Sequence, residues 1–163
     1  MLCVLAFFAS CTSDDTSHSD NASIIGVWKL SAWNVDEGFD INNDGIANTN
    51  LLNEIDCSRN ETLFFDDKGV VSLNTTFSPD ISIALLNQES PKYHFNVECD
   101  TEGIISLAAS YSVNDSVVLI GESEATIKDG KISLVFKDKI KIYNQGFSQV
   151  IDAKDLTLVY VKQ

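Results

Sequence analysis

The chain has 163 residues, with 11 Lys and Arg against 24 Asp and Glu and a formal net charge of -13. That length is the size of one domain, and 44% hydrophobic with 21% charged residues exclude a disordered acidic tail. Phosphate recognition needs clustered cations. A chain whose single arginine is Arg59 therefore excludes nucleic acid as a partner, and equally a basic face on an anionic membrane.

Leu2 to Ala9 form an apolar run, too short to cross a hydrocarbon core of about 30 Å as a helix. The run ends in Phe8-Ala9-Ser10-Cys11, and polar residues follow at once. Small residues just before a cysteine, behind an apolar run, resemble the lipobox of bacterial lipoproteins. The resemblance implies a signal peptide over 1–10, cleavage before Cys11, and a lipid on Cys11 as the chain's contact with a membrane. No Lys or Arg precedes the run, which predicts a native start upstream of Met1. An ordinary secretory signal is the alternative. Ser13-Asp14-Asp15 resembles the surface-export signal of Bacteroidetes-type lipoproteins, implying display at the outer membrane. The alternative is a plain solvated tether, because such segments bury too little apolar area to fold. On both readings 11–23 is a flexible acidic tether and 24–163 is the folded domain.

The body opens on a strand, Gly26-Val27-Trp28-Lys29-Leu30, and Trp28 is expected to pack the closed end of the fold rather than serve, with Trp33, as a sugar platform. Asp40, Asn42 and Asp44 then hold positions one, three and five of a D-x-[DN]-x-D-G pattern. Gly45 supplies the sharp turn at six, Ile46 offers a backbone carbonyl at seven, and Asn48 stands at nine. Calcium, which takes about six to eight oxygens, is the cofactor this spacing predicts. Leu51 occupies the place of the bidentate Glu and Glu54 lies three residues beyond it, so weak affinity is expected. The alternative is a loop whose side chains cap its own turns. A short helix is expected near 50–55.

With Cys3 in the signal and Cys11 at the lipid site, Cys57 and Cys99 remain as an even pair in an exported chain. That pattern favours a disulfide worth roughly 4 kcal/mol. Two free buried thiols are the alternative. Without a C-x-x-C, neither cysteine belongs to a zinc site.

Leu63-Phe64-Phe65 reads as a strand, followed by a turn at Asp67-Lys68-Gly69. His94 is the one histidine outside the tether and reads as a wall residue rather than a general base. Ile105, Leu107, Ala109, Tyr111 and Val113 alternate with Ser106, Ala108, Ser110 and Ser112. Ile132, Leu134 and Phe136 alternate in the same way after the hairpin dipeptide Asp129-Gly130. A half-buried strand at Lys139-Ile140-Lys141-Ile142-Tyr143 precedes a last one carrying Leu156, Leu158 and Tyr160. Period-two alternation puts one face on a core and the other in water, and short strands at this spacing predict an all-β fold. No nucleophile elbow, phosphate loop or dinucleotide fingerprint occurs, so neither an enzyme nor an organic cofactor is expected.

Gly26-Val27-Trp28 is a G-x-W, the mark of the lipocalin superfamily. Its order with Asp40-Ile41-Asn42-Asn43-Asp44-Gly45, Leu51-Leu52-Asn53-Glu54, Cys57, Thr62-Leu63-Phe64-Phe65 and Gly69-Val70-Val71 resembles the lipocalin-like domain of Bacteroidetes-type lipoproteins. That resemblance covers nearly the whole body. It implies an antiparallel up-and-down β-barrel of about eight strands, with no recorded catalytic residues. In such a barrel Ile105, Leu107, Tyr111, Ile132, Leu134, Phe136, Leu156, Leu158 and Tyr160 are expected to line the interior. The leading expectation is a lipid-anchored barrel binding a small apolar or amphipathic molecule, and a neutral one, since no Lys joins this set. The other reading is a filled barrel acting as an interaction module that contacts a protein or glycan partner.

Overall fold

The structure is a computed structural model that describes residues 24–75, 79–87, 92–99 and 107–163. The signal, Cys11, the export signal, the tether and Ile105 lie outside the described residues. Among the described residues eleven strands run in order: β1 (Gly26–Phe39), β2 (Asn48–Asn50), β3 (Thr62–Phe65), β4 (Val70–Thr75), β5 (Asp80–Asn87), β6 (Lys92–Glu98), β7 (Leu107–Asn114), β8 (Val117–Ile120), β9 (Ser123–Lys128), β10 (Lys131–Tyr143) and β11 (Val150–Lys162).

Eight of them close a barrel. Each of β1, β3, β4, β7, β8, β9, β10 and β11 is antiparallel to its neighbours, and β11 returns to β1 through Trp28↔Lys162 to Asn34↔Thr157. This is the up-and-down barrel that the sequence predicts. Closure leaves no free edge within the ring. At Asp129-Gly130 both residues have positive φ, 51° and 70°, as the two-residue turn joining β9 to β10 requires. The expected short helix is a single 3-10 turn, Leu51–Asn53, in which the Leu52 amide donates to the capping Asn50 side chain.

Three strands lie off the ring, and the sequence pattern did not separate them from it. They exist because the wall is uneven. β1, β10 and β11 have 14, 13 and 13 residues, whereas β3 and β8 have four each. The long strands outrun the short ones and leave unpaired edges, which the extra strands cover. β2 pairs the upper part of β1 through Asn34↔Asn50 and Phe39↔Asn48. The β5–β6 hairpin docks in parallel on the top of β10, through Ile142↔Ile83 and Tyr143↔Ala84. The two alternating runs at 132–136 and 139–143 are one strand, β10, bent where Asp138 adopts φ 51° and the register with β11 shifts.

The turn end of the barrel is filled. Trp28 is 1% exposed, donates its indole N–H to the Ile24 carbonyl at 2.7 Å and meets Phe65 edge-on. Tyr111 stacks edge-on against Phe65 from the other side, with centroids 4.9 Å apart. Val118, Ile132, Leu156 and Tyr160 complete this buried layer. Trp28 therefore packs the closed end, as expected, and Trp33 is also buried. Higher up, the core continues through Ile140, Ile142 and Ile83 to Phe39, Leu51 and Leu52 beneath the hairpin.

Candidate functional site

Where the short strands stop, the barrel is concave. An apolar cavity of about 350 Å³ is lined by Leu63 of β3, Val71 and Leu73 of β4, Leu107, Ala108 and Ala109 of β7, and Ile120 of β8. The cross-strand pairs Leu63↔Leu73, Val71↔Ala109 and Leu73↔Leu107 put Leu63, Val71, Leu73, Leu107 and Ala109 on the inner face. Leu107 is nonetheless 58% exposed. No charged side chain lines the cavity.

The nine residues expected to line the interior divide accordingly. Leu107 lines the cavity. Ile132, Leu134, Leu156 and Tyr160 are buried core, and Tyr111 and Leu158 pack against that core half-buried. They pack into the core and do not line this cavity. Phe136 has the inward phase of β10 but is 36% exposed, since it sits just before the bend at Asp138. Ile105 lies outside the described residues. Most of the true lining comes from β3, β4 and β8. Val71 and Leu73 alternate on β4 and Leu63 and Phe65 on β3, a signal that was present but short.

One polar pair lies inside the barrel. Tyr160 donates its hydroxyl to the carboxylate of Glu61, and both residues are buried. Burial first, and the Glu61 charge second, push the Tyr160 hydroxyl pKa far above its ordinary value. Tyr160 stays neutral and donates.

The 40–48 loop is organised by its own side chains. The amide of Gly45 donates to Asp40 Oδ2 at 3.0 Å, that of Asp44 to Asn42 Oδ1 at 2.9 Å, and that of Ile46 to Asp44 Oδ1 at 2.8 Å. The Asn48 amide donates to the Ile46 carbonyl and to Glu54. Glu54 lies too far along the chain for an EF-hand, but the 3-10 turn brings it back beneath the loop. It is 3% exposed and accepts the amides of Ile41 and Asn42 at 2.9 and 3.3 Å. Asp40 Oδ1 is buried without a hydrogen-bond partner. Among the described residues no three His, Cys, Asp or Glu side chains converge as a metal cage. A cation here would rely on amide and carbonyl oxygens beside Asp40 and Asp44. Each carboxylate oxygen that accepts one N–H keeps a lone pair for such a ligand.

Cys57 and Cys99 are bridged, with S–S 2.03 Å and Cα atoms 5.6 Å apart, tying the end of β6 to the segment before β3. Above the loop, Tyr93 of β6 donates its hydroxyl to Glu37 at 3.3 Å, and Lys154 pairs with Glu37 and Asp152 at 3.2 and 3.1 Å. Hydrogen bonding to Asp152 and then Glu37 pushes the Lys154 pKa up to about 12. Burial, followed by the Glu37 charge, raises that of Tyr93. His94, on the outer face of β6, is exposed and lies edge-on to Phe147. Comparison of the chain with protein-family models, curated proteins and solved structures finds no match.

Proposed function

We propose that this chain is a lipid-anchored, surface-displayed, lipocalin-like barrel that carries a small, neutral, apolar molecule at its open end. The observation that carries the reading is the cavity at the short wall, about 350 Å³ and lined by apolar side chains alone. Binding cavities start at roughly 300 Å³. A carboxylate-bearing ligand is disfavoured, because a buried charge needs a partner and this lining offers no cation. The Leu107 side chain, left largely in water, is apolar area that a ligand would cover at about 25 cal/mol per Å². Support for the anchor and for display comes from Ala9-Ser10-Cys11 and Ser13-Asp14-Asp15.

The test uses N-phenyl-1-naphthylamine, a neutral apolar dye that brightens when it leaves water. Saturable brightening is expected with the wild type and its loss with Ala109→Phe, which places a ring in the cavity. A wild type that gives no saturable signal, or a variant that gives the same one, refutes the reading. The filled turn end would then favour the interaction-module alternative.

A further inference from the structure

We propose a second binding site, separate from the apolar cavity, in the cleft between the top of β1, the 40–47 loop and the β5–β6 hairpin, and that it takes a pyranose ring of a neutral saccharide. The cleft has a volume of about 480 Å³. Its aromatic wall is fixed: Phe39 is buried and meets Tyr93 and Phe95 edge-on, with centroids 5.2 and 6.0 Å apart. Tyr93 and Phe95 are only half-buried, so part of each ring faces the cleft that they line. Leu86, 44% exposed, adds an aliphatic edge. The polar rim is fixed as well, because the Tyr93 hydroxyl and the Lys154 ammonium both hold Glu37. Such preorganisation lowers the ordering cost of binding.

The chemistry of the lining selects the ligand class. A hydrocarbon would strip water from Glu37, Asp40 and Lys92 without replacing its hydrogen bonds. An ion finds little net charge, since Lys92 lines the cleft with Glu37 and Asp40, and Lys154, shared with Asp152, also pairs with Glu37. A pyranose offers both things that the lining asks for. One face of C–H groups can lie on the half-buried rings, and its hydroxyls can donate to the carboxylates and accept from Lys92 or the Asn43 amide. Trp28 and Trp33 are buried, so a sugar-facing ring in this protein has to come from elsewhere, and β6 supplies it.

Saturation-transfer NMR on the folded chain tests this with the methyl glycosides of glucose, galactose, mannose and N-acetylglucosamine, each alone. Transfer to the ring C–H protons of at least one glycoside is expected. It should survive in Ala109→Phe, which alters only the apolar cavity. Transfer should fall to background in Tyr93→Ala and in Leu86→Arg. The latter places a bulky group on an exposed edge and keeps the test decisive if Tyr93→Ala fails to fold. Silence from all four glycosides overturns the proposal, as does wild-type transfer in either folded blocking variant.

Discussion

Breaking the Cys57–Cys99 bridge should cost the protein a large share of its stability, and the size follows from the fold. The bridge joins residues 42 apart, and the enclosed segment carries β3, β4, β5 and β6. In the chain-entropy account, closing a loop of that length removes about 4 kcal/mol of freedom from the unfolded state. Such a loss lowers the melting temperature of a domain this size by roughly 8 to 16 °C. The effect should also be local, because the hairpin's ladder to the barrel is two parallel pairs on β10. Without the bridge, Tyr93 and Phe95 are held at Phe39 by packing, the Tyr93–Glu37 hydrogen bond and those two pairs. Urea titration of Cys57→Ser, Cys99→Ser and the double variant is the assay, with hydrogen exchange read on β5 and β6. One constraint is lost in each case, so the three variants should lose equal stability, and β5–β6 amides should exchange faster than those of β10 and β11. Unchanged urea midpoints, or losses in the single variants that add in the double, would show the loop-closure reasoning to be wrong.

Two further expectations concern the loop and the N-terminus. Calcium at millimolar concentration should raise the melting temperature by mass action on the native state, and Asp40→Ala with Asp44→Ala should remove the rise. A wild-type melt indifferent to calcium would reassign the 40–48 loop to turn capping by Asp40, Asn42 and Asp44. Protein extracted from its native membrane should yield an acylated peptide beginning at Cys11, whereas a soluble product with unmodified Cys11 would contradict the anchor. Replacing Ser13-Asp14-Asp15 with alanines should reduce antibody labelling of intact cells, and equal labelling would count against surface display.

Much of the fold is legible in the sequence because alternation is a local property. Ile132 and Leu134 had to face one way and Lys131 and Val135 the other, whatever lay around them, and the structure buries the first pair. Asp129-Gly130 likewise encodes its own turn, and the even count of body cysteines points to the bridge. Alternation reports a side of the sheet and is silent about height. Leu107 and Ile132 share the inward phase, yet one is largely in water and the other wholly buried. What separates them is that β3 and β8 end early while β1, β10 and β11 run on. The same difference in length leaves the strand edges that β2 and the β5–β6 hairpin cover, and thereby builds the cleft around Tyr93. Glu54 reaches Ile41 and Asn42 only through the 3-10 turn that follows β2. Such features were decided by pairing between segments far apart in the chain, where hydrogen bonding and shared burial set the partners and no run of neighbouring residues records them.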